Sequence, residues 1–229
     1  MGILVTLEGP EGSGKSTQIA LLRDALSVRG VPAHFTREPG GTEIGEQIRA
    51  LLHDPRNRAM VAETEILLYS ASRAQHVAEV IRPALARGLL VVSDRFSEAT
   101  LAYQGCGRGL DLGELERITQ FATGGLQPDL VLYLDIDIAI GLRRKRSDRS
   151  GEWNRMDQQS LDFHRRVRTG YLELARQRAD HWLVIDGSLP IATIHATILE
   201  QVMALIGRDP RNTAAAHADP VPDPHHHGG

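Results

Sequence analysis

Gly9-Pro10-Glu11-Gly12-Ser13-Gly14-Lys15-Ser16 is the stretch on which the fold turns. It follows Ile3-Leu4-Val5-Thr6-Leu7, a short, apolar, partly β-branched run with the composition of a buried strand. The spacing G-x-x-x-x-G-K-[ST] between a strand and a helix is the pattern of a phosphate-cradling loop. Its glycines let backbone N–H groups turn inward around phosphate oxygens. The helix that follows adds unpaired N–H groups and the positive end of its dipole. Lys15 sets a cation against the β and γ phosphates, and the Ser16 hydroxyl is placed to ligate Mg²⁺. A nucleoside triphosphate is therefore the expected ligand of Gly9, Pro10, Glu11, Gly12, Ser13, Gly14, Lys15, Ser16 and Thr17.

Working outward, apolar runs of strand length recur at Val31 to Thr36, Leu89 to Ser93, Leu130 to Leu134 and Trp182 to Ile185. Between them the apolar residues fall at helical spacing. One series is Ile66, Leu67, Tyr69, Ala74, Val77, Val80 and Ile81, ending near Gly88; another is Ile194, Ile198, Val202 and Ile206, ending at Gly207. Strands alternating with helices predict βαβ units and a mostly parallel sheet of five strands, covered on both faces. The expectation is one α/β domain over residues 1–207. Residues 208–229 hold Pro210, Pro220, Pro222 and Pro224 and almost nothing large and apolar. They read as a flexible tail, and its His225-His226-His227 tract as a tag remnant or plain tail rather than a metal site.

The whole-chain numbers exclude several classes. With 229 residues, 41% hydrophobic and 24% charged, the chain has an ordinary globular balance. No apolar run approaches the roughly 20 residues of a membrane span. The 26 Lys and Arg against 29 Asp and Glu give a net charge of −3, no sign of a nucleic-acid or membrane-surface binder. A single cysteine, Cys106, excludes an internal disulfide, and no secretion signal opens the chain, so a cytoplasmic protein is expected. No Asn-Lys-x-Asp reads guanine.

A second pocket is legible at the other strand ends. Ser93-Asp94-Arg95-Phe96 closes the third strand: Asp94 is placed to hold the water shell of Mg²⁺, and Arg95 to clamp an incoming phosphate. Thr36-Arg37-Glu38-Pro39-Gly40-Gly41-Thr42 closes the second, at the carboxyl edge where ligands of open α/β sheets sit. Arg37 is a second clamp there, with a plain surface turn as the alternative.

These two elements, the phosphate loop from Glu8 to Thr17, and Ala102-Tyr103-Gln104-Gly105 together resemble the thymidylate kinase family, its bacterial branch in particular, from about Ile3 to Asp186. The resemblance implies a P-loop kinase fold with a short mobile lid, a homodimer, and transfer of phosphate from ATP to dTMP with Mg²⁺. By position it implies that Tyr69 stacks on thymine, where the family usually has phenylalanine. Arg73, one helical turn on, then bonds a base carbonyl. Thr100 reads the N3 side, Tyr103 crowds the sugar C2′, and Gln104 lines the same pocket. Glu11 lies near the 3′-hydroxyl, and Arg37 and Arg95, with Pro39 in the same loop, meet the acceptor phosphate. Ala99 stands where the family often carries serine, one hydroxyl fewer.

The basic run Leu142-Arg143-Arg144-Lys145-Arg146-Ser147-Asp148-Arg149 falls where that family has its lid, about residues 142–156. The bacterial branch takes its transition-state arginine from the lid, and Pro10 to Ser13 contain none. Arg149 and Arg155 are the expected candidates beside Lys15 and Arg95, with Arg143 and Arg146 as alternatives. Asp135 and Asp137 are read either as lid contacts or as helix caps. Asp186-Gly187-Ser188 falls where the family's adenine pocket forms. Two rival readings stay open: another small-acceptor P-loop kinase, and an ATP-dependent switch. The arginine-bearing acceptor loops speak against the switch.

Overall fold

The structure, a computed structural model, describes residues 2–147 and 153–208. Arg149, the later part of the 208–229 tail and the middle of the 142–156 stretch lie outside the described residues. Five strands, β1 (Ile3–Glu8), β2 (Ala33–Arg37), β3 (Leu90–Asp94), β4 (Leu130–Asp135) and β5 (Trp182–Asp186), pair in parallel in the order β2-β3-β1-β4-β5. All five expected strands form, and each runs one residue further toward its carboxyl end than its apolar run. The added residues are Glu8, Arg37, Asp94, Asp135 and Asp186, so the sheet carries five charged side chains along one edge. The strand order reverses between β1 and β4, and in such a sheet the crevice at that reversal is the ligand site.

The helices fall on both faces, as two-fold alternation in the strands requires. Val5, Leu7, Val92, Leu132 and Leu134 point to one face, against Leu22 and Leu26 of α1 (Lys15–Val28) and Ile194, Ile198 and Val202 of α9 (Ile191–Gly207). Leu4 and Val91 point to the other, against Val77, Ile81 and Leu85. Beside them Val131, Tyr133 and Trp182 meet Phe163, Val167 and Tyr171 of α8 (Leu161–Gln177). The remaining helices are α2 (Glu43–His53), α3 (Ala62–His76), α4 (Arg82–Ala86), α5 (Ser97–Thr100), α6 (Leu112–Thr123) and α7 (Ile138–Ser147). None among the described residues is long and apolar enough to cross a membrane.

The apolar series from Ile66 to Ile81 is not one regular helix. Between α3 and α4 the chain makes a π turn over Val77–Ile81, where the Arg82 N–H reaches back to the Val77 carbonyl. Pro83 has no N–H to offer the turn before it, so the wide turn falls where a regular bond is already lost. A second π turn, Leu101–Gly107, continues α5 and carries Tyr103 and Gln104 toward the crevice.

Candidate active site

One cavity of roughly 590 Å³ runs along the charged edge of the sheet. The loop after β1 forms its floor. Gly9, Gly12 and Gly14 take positive φ, and Gly14 caps α1 without a side-chain bond or an acidic first turn. The first N–H groups of α1 are thus left for an anion. The loop is also pressed against the start of the basic helix: a Cβ on Gly12 would collide with the Gly141 carbonyl oxygen of α7, at a φ of +70°. Gly12→Ala should therefore cost about 1–3 kcal/mol through backbone strain alone, and it should weaken ADP binding as well. Urea unfolding and calorimetry check this; an unchanged midpoint together with unchanged ADP affinity would remove the loop from this role.

Lys15 is buried and curls over the loop, donating to the carbonyls of Gly9 (3.0 Å) and Pro10 (3.2 Å). Gly9 and Pro10 thus act through their carbonyls, and neither is part of the cavity wall. Glu11, Gly12, Ser13, Gly14, Lys15, Ser16 and Thr17 do line it. Beyond α1 the wall continues through Gly187, Leu189, Ile191 and Ile194. Arg144 of α7 donates to the Gly187 carbonyl (3.1 Å), closing that end with a backbone-lined, partly apolar slot suited to a flat base.

The other end holds the acceptor candidates. Arg37, Pro39, Tyr69, Arg73, Arg95, Thr100, Tyr103 and Gln104 all line the same cavity, together with Asp94 and Ala99. Arg73 is 2% exposed, and its guanidinium is held on three sides. Nε donates to Glu38 Oε2 (2.7 Å), Nη1 to Thr100 Oγ1 (2.8 Å) and Nη2 to the Phe96 carbonyl (2.9 Å). An arginine so fixed presents donors only, and it selects a carbonyl over an amino group. Gln104 is anchored in turn by its amide, which donates to Glu65 Oε1 (2.8 Å). Burial, then the nearby Glu65, pushes the Tyr69 hydroxyl up to about 12, so Tyr69 stays neutral.

Arg95 stands between the two ends. Its Nη1 donates to the Gly9 carbonyl (2.9 Å), its Nη2 pairs with Glu11, and its guanidinium lies 5.0 Å over the Tyr103 ring. The Tyr103 hydroxyl donates to the same Glu11 oxygen (3.1 Å). Burial alone would raise the Glu11 carboxyl, but Arg95, Lys15 and Lys145 outweigh it and bring it down to about 2. The loop carboxylate is thus a fixed anion that aligns Arg95 and Tyr103.

Ser16 and Asp94 both face the cavity. One hydroxyl and one carboxylate fit Mg²⁺, which keeps most of its waters and takes its other ligands from phosphates. Among the described residues no cluster of three or more His, Cys, Asp or Glu offers an all-protein metal cage.

The basic stretch divides by helix phase, which composition does not reveal. Arg144 and Lys145 line the cavity. Arg146 instead lies over the Trp153 ring at 4.8 Å. Arg155 is 4% exposed and not part of the cavity wall: Nε donates to the Leu52 carbonyl (2.8 Å) and Nη2 lies 2.6 Å from Glu65. Asp137 caps α7, accepting from the N–H groups of Ala139 (2.9 Å) and Ile140 (3.2 Å). Asp135 forms a two-point pair with Arg168 on α8. Arg49 and His53 of α2 also line the cavity, and nothing in their local sequence marks them. Burial, then Arg49, lowers His53 to about 3, so it stays uncharged there.

A parallel sheet with a phosphate loop after β1 and an arginine-lined pocket at the same edge defines a P-loop kinase. The particular family follows from comparison with known proteins. The family model described as thymidylate kinase matches residues 7–198. The thymidylate kinase of Roseiflexus castenholzii (strain DSM 13941 / HLO8) is 47% identical over 217 residues, covering 90% of this chain and 93% of that protein. That of Roseiflexus sp. (strain RS-1) is 47% identical over 216 residues, covering 90% and 94%. The chain belongs to the thymidylate kinase family.

Proposed function

We propose that this chain transfers the γ-phosphoryl group of ATP to dTMP, giving dTDP and ADP in dTTP synthesis. The observation that carries the reading is the single cavity from the slot at Gly187 and Ile191, across Lys15 and Arg95, to the donor-only Arg73. ATP occupies the loop side, with its base in the slot. dTMP lies with its phosphate at Arg95 and Arg37, its base carbonyl at Arg73, its ring on Tyr69 and its sugar against Tyr103.

The acceptor is already a phosphate oxygen, largely anionic at neutral pH because its second pKa is near 6. A bond forms from that oxygen to the γ-phosphorus while the bond to the β–γ bridging oxygen breaks, and no proton need be removed first. The site accordingly offers positioning and positive charge rather than a general base. Arg95 and Lys15 hold the two phosphates whose mutual repulsion opposes the reaction. Mg²⁺, held through Ser16 and the water shell at Asp94, supplies further charge neutralisation when bound. An arginine from the stretch 142–156 completes the charge at the transferring group. Arg149 is the leading candidate, since Arg155 is engaged with Glu65 and Leu52. Closure of this stretch excludes water, which would otherwise accept the phosphoryl group.

Apolar side chains exposed on α2 (Ile44, Leu51), α3 (Leu67) and α6 (Phe121, 91% exposed) support a homodimer, since α3 packs against both other helices. A monomer mass by light scattering at micromolar concentration would count against it. A cytoplasmic location fits a nucleotide substrate.

The test of function is ADP release with dTMP, dUMP, dCMP, dGMP, AMP and thymidine as acceptors. Preference for dTMP is expected, and preference for another acceptor would overturn the substrate. ATP hydrolysis independent of any acceptor would favour a nucleotide switch. In the same assay Arg149→Ala should lower kcat by about 10³-fold with little change in dTMP affinity. An unchanged kcat would remove Arg149 from that role.

A further inference from the structure

Glu8, the last residue of β1, is fully buried, and both its carboxyl oxygens are engaged. Oε1 accepts from the Phe96 backbone N–H (2.8 Å), and Oε2 lies 2.7 Å from the Tyr171 hydroxyl. Tyr171 comes from α8, and its hydroxyl in turn accepts from Arg95 Nη1 at 3.4 Å. Arg95 between them is the one described non-glycine residue at positive φ, +71°. A side-chain-bearing residue holds that conformation only where its surroundings fix it. Three bonds do so: the Arg95 N–H to the Leu7 carbonyl (3.0 Å), the Ser93 hydroxyl to the Arg95 carbonyl (2.7 Å), and the Phe96 N–H to Glu8.

We infer that Glu8 is a positioning residue for the phosphate-clamping Arg95, fixing its left-handed turn through the Phe96 N–H and its guanidinium through the Tyr171 hydroxyl. The inference rests on the proposed role of Arg95 toward the acceptor phosphate. It does not make Glu8 a base, because the acceptor oxygen needs none. The surroundings suit a neutral group. Burial, then Glu98, pushes the carboxyl up to about 8, against the pull of Arg95, Tyr171 and the Phe96 N–H. Glutamine is then the nearest substitute: its amide oxygen accepts from the Phe96 N–H, and its amide nitrogen reverses the bond that the Tyr171 hydroxyl donates to Oε2.

The test compares Glu8→Ala, Glu8→Gln and Tyr171→Phe with the unsubstituted enzyme, by calorimetric dTMP and ADP binding and by kcat. Displacing a positioned group by about 1 Å costs up to ~10²-fold, so Glu8→Ala should lose about 10- to 100-fold in dTMP affinity and kcat combined. Its ADP affinity should stay within about threefold, and Glu8→Gln should recover most of the loss. Tyr171→Phe should weaken dTMP binding several-fold without touching ADP. Equal losses toward ADP and dTMP, or a glutamine variant no better than alanine, would overturn the inference. If Glu8→Ala does not fold, Glu8→Gln and Tyr171→Phe decide it: a tyrosine variant with unaltered dTMP constants overturns it. Failure of the unsubstituted enzyme to bind dTMP would instead strike the proposed function.

Discussion

Replacement of Arg95 by alanine should slow dTMP phosphorylation by about 10³-fold or more, the scale on which arginines act in phosphoryl transfer. The size follows from what one side chain does here. Arg95 is partly buried, lies across the Tyr103 ring, and ties the loop carbonyl of Gly9 to the carboxylate of Glu11. Its removal withdraws positive charge from the acceptor end at the point where two phosphate groups must approach. It also strips Glu11 of the largest attraction holding its carboxyl at about 2, leaving Lys15 and Lys145. A negative carboxylate would then face the acceptor phosphate with less to offset it. Arg95→Lys should recover little, because an ammonium cannot span Gly9 and Glu11 as a planar fork does. ADP affinity should change by no more than a few-fold, since Lys15 still donates to the Gly9 and Pro10 carbonyls when the bond from Arg95 to Gly9 is lost. The measurements are kcat and dTMP affinity side by side with ADP binding. An alanine variant within tenfold of the unsubstituted kcat would place Arg95 away from the reacting phosphate.

The site candidates legible from motif and spacing share one property: each stands at the end of a strand. The loop from Gly9 to Ser16, Arg37, Asp94 and Arg95 each follow an apolar run, and a parallel sheet brings all such positions to one edge. Tyr69, Arg73, Thr100, Tyr103 and Gln104 were reached through resemblance, and all line the cavity. The partners that hold them were not legible, because the bonds join distant parts of the chain. Glu8 meets Phe96 and Tyr171, 88 and 163 residues away, and Glu65 meets Gln104, Arg108 and Arg155 across three elements. A charged residue ending an otherwise apolar strand was the available sign for Glu8. The basic stretch shows a second limit. Residues 143–146 are all basic, and it is the seating of α7, with Gly141 close against the phosphate loop, that turns Arg144 and Lys145 inward. Aromatic scarcity has a structural side as well. Tyr103, Tyr133, Phe163, Tyr171 and Trp182, half of the ten aromatics, gather in one cluster under the acceptor end.

Arg73→Ala should damage the protein twice, in recognition and in stability. The Arg73–Glu38 pair is 2% and 3% exposed at its two side chains. Breaking a buried pair by deleting one partner costs about 3–5 kcal/mol, because the other charge stays in a poor solvent. Glu38 would keep one contact, from His76 Nδ1 at 3.1 Å, while His76 Nε2 is already engaged with the Thr36 hydroxyl at 2.6 Å. The same deletion frees Thr100 Oγ1 and the Phe96 carbonyl, so this part of the cavity wall loses its order. Binding of dTMP should fall by about tenfold or more, one lost hydrogen bond to a charged donor, while ADP binding at the far end is spared. Stability and recognition separate in the double variant Arg73→Leu with Glu38→Leu. With no charge left unpaired, it should recover much of the stability and none of the dTMP affinity. Urea midpoints and calorimetric dTMP titrations of both variants decide the matter. A single variant as stable as the unsubstituted protein would mean that the cavity admits enough water to solvate Glu38. A double variant that regained dTMP binding would mean that Arg73 does not meet the base.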